Sequence, residues 1–527
     1  MFHRSVQTLF CALALAALAR PARAQTSGRS AGAARRAAES IVPADVHDRI
    51  AVIADDSMLG RATPSPQLDE TAAWIAAQFR SFGLAPAGDS GTFIQRYTIR
   101  QLQVDTTSFV MAMGRGAHGH WALGREAALL FGEPPAQPVT GPAVLVAGVP
   151  ADTTQPFGDV SLAGAIVIQV APARLLNSTL FGLLARASAA GARAWIIVTA
   201  VPAPIFAQMA RNSVSAQYEI AGLGASGRRP LSLYLVRDSS AMEVLRAAGE
   251  DVSALLASGA DGGVRALPGF TATVDVRRTV LSAASAPNTI AVLEGSDPAL
   301  KHEYVFFTGH MDHIGVPSSG EGCAPVGGDS ICNGADDDAS GAVGVVELAQ
   351  AFSRLEPRPR RTLVFMTVSG EERGLWGSGY YVSHPAVPLD STVADFNTDM
   401  IGRNPSDGVM AIGKEQSSLG PLVDSIAARH PELRLRVLGD TMPQERLFYR
   451  SDHFNFAQHG VPILFFTTGL HADYHRPTDS VEKIDADQEA RILRLIFWLG
   501  LDVADAAARP AWNPESRRQI VQESGSP

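Results

Sequence analysis

The stretch YVFFTGHMD at residues 304–312 is the part of the sequence that decides the fold. Its first five residues form a continuous apolar and β-branched run, which is typical of a strand buried on both faces. His310 and Asp312 follow directly and lie two residues apart, so in an extended chain their side chains point to the same side. His310 could therefore bind a metal while Asp312 steadies its ring. The alternative is a structural pair, because His-x-Asp is common by chance.

Strand-like and helix-like segments alternate on both sides of this stretch. A helix pattern at 342–352 and a strand pattern at 362–368 follow it, and a strand at 463–467 and a helix at 489–503 come later. This alternation predicts the α/β class, with a mostly parallel central sheet flanked by helices. Ligands of such sheets bind beyond the carboxyl ends of the strands. Between residues 128 and 265 the pattern differs: short β-like runs alternate with Gly and Pro turns, which predicts an inserted β-rich module.

Four further groups of polar residues follow strand-like segments, and each offers metal ligands: Asp336-Asp337-Asp338, Glu371-Glu372, Asp399 and His475. Three consecutive carboxylates favour a nearby cation, so one of them could bridge two metals; the alternative is a solvated loop that caps the next helix. One of the two glutamates could bind a metal while its neighbour takes a proton from water; the alternative is two exposed residues at a helix start. Together these oxygen and nitrogen donors fit zinc.

The order of five motifs closely resembles the two-zinc exopeptidases that include bacterial secreted leucine aminopeptidases and glutamate carboxypeptidase. The motifs are GHMDH (309–313), NGADDDASG (333–341), SGEERGLWGS (369–378), NTDMIG (397–402) and YHRPTDS (474–480). The resemblance covers about residues 44–125 and 266–505. The module between these parts, with the runs LAGAIVIQV and GARAWIIVTA, resembles the protease-associated domain that is often inserted in these enzymes.

Carried over motif by motif, the resemblance implies a role for each candidate residue. It implies two zinc ions per chain, with His310 and Asp399 on the first, Glu372 and His475 on the second, and Asp336 bridging both, followed by a cis peptide bond. It also implies that Glu371 is the general base and that Asp312 orients His310. The choice of Asp336 over its two neighbours rests only on matching the family pattern.

Residues 449–453 also resemble a family segment near the active site. By this resemblance Tyr449 would donate a hydrogen bond to the tetrahedral intermediate. Four further residues are as consistent with structural roles as with roles in the site: His313, Asp452, His453 and His471.

The resemblance implies a zinc-dependent exopeptidase, an aminopeptidase that removes N-terminal residues from peptides by attack of a zinc-bridging hydroxide. A carboxypeptidase, a dipeptidase or another amide hydrolase could use the same two-zinc site. A carboxypeptidase for acidic peptides would need a basic pocket, for which Arg450 is the candidate. A catalytically inactive, receptor-like relative is the alternative from another class.

The N-terminus predicts export to the periplasm or the extracellular medium. Arg4 precedes an apolar run at 9–18, and Ala22-Arg23-Ala24 matches a cleavage site. The run is too short to span a membrane as a mature helix, and an uncleaved anchor is the alternative. The expected organisation is a signal peptide at 1–24, a flexible leader at 25–43, peptidase domain at 44–127, protease-associated domain at 128–265, catalytic domain at 266–508 and a tail at 509–527.

Charge and cysteine content narrow the functional classes further. The chain carries 44 Lys and Arg against 53 Asp and Glu, a net charge of −9, and cleavage after Ala24 would remove three arginines and no acid, giving −12. This balance argues against nucleic acid as a partner, because phosphate binding needs a basic face.

Cys323 and Cys332 would pair in an oxidising compartment. The alternative is metal ligation, although C-x8-C matches no common zinc spacing.

Overall fold

The computed structural model describes residues 31–150, 152, 154–172, 178–223, 231–258, 262–319, 322–404 and 407–525. The predicted signal peptide at 1–24 and the first residues of the predicted leader lie outside this part. Two β-sheets, one of ten strands and one of eight, organise the described residues. No helix within the described ranges is long and apolar enough to cross a membrane.

The strands of the described residues are, in chain order, β1 (Ala85–Pro86), β2 (Ile94–Val104), β3 (Phe109–Gly114), β4 (Ala117–Ala122), β5 (Ala127–Phe131), β6 (Val139–Ala147), β7 (Ile166–Val170), β8 (Ala194–Thr199), β9 (Gln217–Ile220), β10 (Leu233–Arg237), β11 (Val264–Asp275), β12 (Arg278–Leu293), β13 (Tyr304–His310), β14 (Thr362–Val368), β15 (Thr392–Thr398), β16 (Gly408–Ile412), β17 (Arg436–Leu438) and β18 (Ile463–Thr467). The α-helices are α1 (Ala31–Glu39), α2 (Pro43–Ile53), α3 (Pro66–Ser81), α4 (Ser178–Ala189), α5 (Ala203–Val214), α6 (Asp238–Ala247), α7 (Val252–Ser258), α8 (Gly341–Ser353), α9 (Trp376–Ser383), α10 (Leu419–Arg429), α11 (His453–Gln458), α12 (Ala486–Asp505) and α13 (Pro514–Gly525).

The ten-stranded sheet runs in the order β17-β16-β18-β15-β13-β14-β12-β2-β9, with β1 paired to β12. Its four central strands, β18, β15, β13 and β14, are parallel neighbours. β12, β2 and β9 on one side, and β16 beside β18, run antiparallel to their neighbours. The predicted α/β class is confirmed, with the parallel strands in the centre of the sheet.

Two consecutive phenylalanines in β13 show why the first half of this strand is apolar. Phe307 packs on one face of the sheet, where its ring stacks on Phe365 at 5.3 Å and joins the core that α3, α8 and α12 complete. Phe306 points to the opposite face and packs against Tyr381 of α9 and Phe456 of α11. Successive side chains of a strand alternate between faces, so helices on both faces favour apolar residues at consecutive positions.

The chain ends depart from the prediction. A flexible leader was expected at 25–43, but residues 31–39 form α1, because alanines at positions 34, 37 and 38 are buried against the first core. The tail was expected to carry no clear structure. It contains α13, whose Ile520 is buried in the core on the opposite face.

The eight-stranded sheet lies in the region where the sequence predicts the β-rich module, and its strands extend beyond the predicted bounds. Its order is β4-β3-β11-β6-β7-β8-β10-β5, so it spans residues 109–275 rather than 128–265. The β3–β4 hairpin belongs to it because β3 pairs with the second half of β11, from Phe270 to Asp275. The module also contributes β9 to the first sheet, where that strand pairs with β2.

Candidate metal centre

The candidate residues meet at the edge of the first sheet where β13, β14, β15 and β18 end. These four strands are parallel neighbours, so their carboxyl ends lie side by side. His310 is the last residue of β13, and Asp399 directly follows β15. Glu371 and Glu372 lie in the turn after β14, and His475 lies in the loop after β18. The sheet topology therefore brings together residues that are up to 165 positions apart in the chain.

The first group of donor atoms comes from His310, Asp337 and Asp399, whose ligand atoms all lie within 4.8 Å of one another. The His310 Nε2 atom is 3.4 Å from Oδ1 of Asp337 and 3.7 Å from Oδ2 of Asp399. All three residues are buried. Two carboxylates and one imidazole in this arrangement suit a zinc ion.

The second group is built around Glu372 and the other oxygen of Asp337. The His475 Nε2 atom lies 3.2 Å from Oδ2 of Asp337 and 3.1 Å from Oε2 of Glu372. His313 approaches from the opposite side, with Nδ1 2.7 Å from Oε1 of Glu372. Asp337 thus presents one carboxylate oxygen to each group, which is the geometry of a carboxylate that bridges two metals.

The expected bridging residue, Asp336, does not face the two groups of donor atoms. The next residue, Asp337, faces them instead. Asp336 is fully buried, with Oδ2 3.2 Å from Nε2 of His471 and Oδ1 accepting the backbone N–H of Gly402 at 2.6 Å. The cis peptide bond lies between Asp337 and Asp338 rather than directly after Asp336. Non-helical backbone angles at Asp337 and Asp338 turn consecutive side chains to unrelated directions, so the facing residue cannot be read from sequence order.

Asp312 lies beside His310, as the spacing predicted, and has two further contacts. Its Oδ1 atom is 3.6 Å from Nδ1 of His310, and its backbone oxygen is 3.1 Å from the same nitrogen. Its Oδ2 atom accepts a hydrogen bond from the Thr63 hydroxyl at 2.7 Å. The same hydroxyl oxygen accepts the backbone N–H of Gly370, directly before Glu371. Thr63 therefore connects two parts of the site: the turn in which Glu371 lies and the Asp312 carboxylate beside His310.

Arg61 is a fully buried cation next to the loop that carries the three aspartates at 336–338, and no pattern in the sequence indicates its role. Its guanidinium donates to the backbone oxygens of Met311 at 2.8 Å and Gly334 at 2.7 Å, and to that of Asn333. Burial lowers the pKa of Arg61, while the surrounding aspartates, first of them Asp337, oppose that shift. One side chain from a distant part of the sequence therefore binds both the segment after His310 and the segment before the aspartates.

Glu371 reaches the cavity beside the two donor groups. Burial raises the pKa of its carboxyl well above the ordinary value; His310 lowers it, and the neighbouring Glu372 and Asp399 raise it further. A carboxyl that lies beside candidate metal ligands is placed to take a proton from a bound water and to return it.

Tyr449 does not line this cavity, and Tyr474 does. The Tyr449 side chain is 45% exposed, and its ring packs against Phe448 and Phe454. The Tyr474 ring stacks on His475 with 3.9 Å between the ring centroids. The tyrosine in the wall of this cavity is therefore the residue before His475, rather than Tyr449 as expected.

Asp452 and His453 lie buried behind the site and have the contacts of structural residues. Oδ1 of Asp452 accepts the Ser378 hydroxyl at 2.5 Å. The His453 Nε2 atom is 2.9 Å from the backbone oxygen of Phe448, and burial lowers the pKa of His453 to about 3. His453 is therefore neutral at neutral pH.

The donor atoms have the surroundings that a metal site requires. Three atoms of the proposed ligands are buried and make no contact of hydrogen-bond geometry among the described residues: Oδ2 of Asp337, Oε1 of Glu372 and Nε2 of His475. Burying polar atoms unpaired is costly, and a cation held by the carboxylates would satisfy most of them. The residues present therefore fit zinc.

Cys323 and Cys332 form the predicted disulfide, with 5.9 Å between their Cα atoms. Both are buried, and together with Ile314 they form a small apolar cluster. The bond closes the loop between His310 and the aspartate loop, so the connection between two ligand-bearing segments is cross-linked.

Comparisons with known proteins match the part of the chain that carries the site. The family model described as Peptidase family M28 matches residues 288–499. Leupeptin-inactivating enzyme 1 of Streptomyces exfoliatus is 29% identical over 216 residues, which are 41% of this chain and 42% of that protein. A probable zinc metalloprotease of Pyrenophora teres f. teres is 27% identical over 289 residues, or 46% of this chain and 57% of its own. The chain thus spans about half the length of the curated relatives it matches.

A solved structure, the aminopeptidase from Aneurinibacillus sp. strain AM-1, is similar over 91% of this chain and 97% of its own, with 19% identity and a TM-score of 0.45. Zinc aminopeptidase BSAP from Bacillus subtilis is similar over 87% of this chain and 94% of its own, with 17% identity and a TM-score of 0.42.

Proposed function

We propose that the protein is a zinc-dependent exopeptidase that acts as an aminopeptidase; residues 288–499, which carry the candidate metal centre, match the model described as Peptidase family M28. The observation that carries the proposal is the placement of Asp337, whose two carboxylate oxygens face two separate groups of donor atoms. A carboxylate shared in this way supports a site for two metal ions rather than one.

Five side chains would hold the two zinc ions. His310 and Asp399 would bind the first ion, Glu372 and His475 the second, and Asp337 both. His313 faces the Glu372 oxygen that points away from His475, so it would orient that carboxylate instead of binding a metal itself. Asp312 would orient His310 in the same way.

Proton transfer would fall to Glu371. Two bound zinc ions supply a water of lowered pKa and polarise the scissile carbonyl. Glu371 lines the cavity next to Asp337 and Asp399, so it can take the proton of the attacking water and return it to the leaving amine. Tyr474 lines the same cavity, and its hydroxyl is the candidate donor to the oxygen that becomes negative as the carbonyl is attacked.

The charge of the cavity favours an aminopeptidase over a carboxypeptidase. Three carboxylates, those of Asp337, Glu371 and Asp399, line it. Zinc would engage Asp337 and Asp399, so Glu371, which lies outside both donor groups, is the carboxylate that would attract the protonated α-amino group of a peptide. A peptide bound by its free amino end would place its first peptide bond next to Glu371.

The proposal is tested with the full chain loaded with zinc and two substrates that differ only at the amino end. We expect hydrolysis of leucyl-p-nitroanilide, no hydrolysis of N-acetyl-leucyl-p-nitroanilide, and loss of activity with a chelator that zinc restores. Cleavage of the blocked substrate at a similar rate would exclude an aminopeptidase. Release of C-terminal residues from a peptide library, read by mass spectrometry, would indicate a carboxypeptidase.

A further inference from the structure

The cavity beside the metal centre carries one positive group. It has a volume of about 40 Å³ and includes the carboxylates of Asp337, Glu371 and Asp399 in its wall. Arg450 is the only Lys or Arg among the described residues that line it, and Tyr474 lies next to it. Zinc ions held as proposed would offset the carboxylates of Asp337 and Asp399, and Arg450 is the positive side chain of the cavity wall that can meet an acidic group of the substrate.

The main chain at Arg450 is held firmly. The next residue, Ser451, is buried, and its hydroxyl oxygen accepts the Asn397 amide at 2.9 Å. Asp452 is buried as well and accepts the Ser378 hydroxyl. The backbone from which the Arg450 side chain extends is therefore anchored beside the cavity, and an anchored backbone is one requirement of a specificity-determining residue.

The guanidinium of Arg450, in contrast, has weak partners. Its Nη1 atom is 3.4 Å from Oε2 of Glu445, and its Nη2 atom is 3.3 Å from the Tyr474 hydroxyl. The Arg450 side chain is 40% exposed and that of Glu445 36%. An exposed ion pair at this distance contributes little, so the planar pair of N–H donors that fits a carboxylate remains available.

From this arrangement we propose that Arg450 binds a carboxylate of the substrate and makes the enzyme prefer substrates that carry one. The proposal rests on the exopeptidase function argued above. The carboxylate has two sources: the acidic side chain of an N-terminal Asp or Glu, or the free C-terminus of a dipeptide. Both place a carboxylate within a few bonds of the scissile carbonyl.

Two pairs of substrates, each differing only in the carboxylate, distinguish these sources. The first pair is glutamyl- and glutaminyl-p-nitroanilide, and the second is leucyl-leucine and leucyl-leucinamide. For the zinc-loaded wild type we expect kcat/KM to favour the carboxylate member of one pair by about 10- to 100-fold, the effect of one charge-assisted contact. Arg450→Gln should bring that ratio close to one, and Arg450→Lys should restore it in part.

Arg446→Gln is the matched control. The Arg446 guanidinium lies over the Tyr449 ring at 5.1 Å and does not line the cavity, so this variant should keep both the activity and the ratio of the wild type. If Arg450→Gln lowers kcat/KM equally for both members of each pair, or leaves both ratios unchanged, the proposal is wrong.

A binding measurement separates this proposal from the proposed function. Calorimetry with zinc-loaded Glu371→Gln protein gives the Kd of leucyl-leucine, leucyl-leucinamide, glutamate and glutamine without turnover. A carboxylate preference that disappears when Arg450→Gln is added supports the proposal even if no substrate is hydrolysed, a result that would overturn only the exopeptidase function. Equal Kd values within each pair would overturn the role of Arg450 alone.

Discussion

The Thr63 hydroxyl donates a hydrogen bond to Oδ2 of Asp312 at 2.7 Å, across 249 positions of the sequence. The Thr63 hydroxyl oxygen also accepts a hydrogen bond from the backbone N–H of Gly370 at 3.0 Å. One hydroxyl thus connects the carboxylate beside His310 with the turn that carries Glu371 and Glu372. Thr63 belongs to neither group of donor atoms, yet its two hydrogen bonds hold Asp312 beside His310 and hold the turn before Glu371.

Thr63→Val keeps the shape of the side chain and removes both hydrogen bonds. Because residues that orient metal ligands typically contribute 10- to 100-fold to metal affinity, we expect zinc to bind about 10-fold more weakly. Competition with a fluorescent chelator measures this directly. Thr140→Val, at an exposed position of the second sheet, is the control and should bind zinc as the wild type does. Equal zinc affinity of the two variants would show that Thr63 does not support the site.

Arg61→Met should destabilise the fold rather than only weaken the metal site. The substitution leaves the backbone oxygens of Met311, Asn333 and Gly334 without their buried donor. Removing one partner from a buried charged network costs about 3 to 5 kcal/mol, and urea unfolding of the chelator-treated protein would measure it. Arg35→Met, where the arginine is exposed and pairs with Glu39 on one helix, should unfold like the wild type. Similar unfolding of both variants would contradict a structural role for Arg61.

The features that could be predicted from the sequence are those with a local pattern. The strands at 362–368 and 463–467 have the predicted bounds, and His310, Asp399 and Glu372 lie at strand ends where the alternation of strands and helices placed them. These assignments succeed because parallel strands bring their carboxyl ends to one edge, whatever the loops between them do.

The rest depends on contacts that leave no local pattern. The sequence does not distinguish the three consecutive aspartates, because their side chains are identical. The non-helical backbone at Asp337 and Asp338 decides which of them faces the donor groups. Arg61 and Thr63 come from a segment about 250 positions before their partners and have no periodic or motif signal. Tyr474 is adjacent to a predicted ligand, but its orientation depends on stacking against His475.

Asp395, buried within β15, should make stability depend on pH. Burial raises the pKa of its carboxyl from 3.8 to about 8, the Thr308 hydroxyl opposes the shift, and Asp452 adds to it. Because the folded-state pKa lies above the unfolded one, the stabilisation is fully present below about pH 4 and is lost as the pH rises toward 8. Each pH unit in this window changes the free energy of unfolding by up to about 1.4 kcal/mol.

Asp395→Asn removes this dependence. The free energy of unfolding of the wild type, relative to the variant, should therefore fall between pH 5 and pH 7.5 when both chelator-treated proteins are unfolded in urea. Parallel pH profiles of the two proteins would show that Asp395 ionises at the same pH in the folded and unfolded states.

Glu371→Gln should separate metal binding from turnover. The side chain lines the cavity but lies outside both donor groups, so the variant should keep its zinc. Loss of a general base typically costs about 10²- to 10⁴-fold in kcat, which hydrolysis of leucyl-p-nitroanilide would show. Glu70→Gln, at an exposed position of α3, is the control. Turnover near that of the wild type in Glu371→Gln would refute its role as the base.

The most direct test of the account is the zinc content of two variants that differ by one position, Asp336→Asn and Asp337→Asn. Both aspartates are buried in the same turn, but only Asp337 faces the two donor groups. Zinc per chain, measured by mass spectrometry after dialysis of folded protein, should be two for the wild type and for Asp336→Asn, and one or none for Asp337→Asn. Full zinc content in Asp337→Asn, with loss in Asp336→Asn, would contradict the two-metal site centred on Asp337.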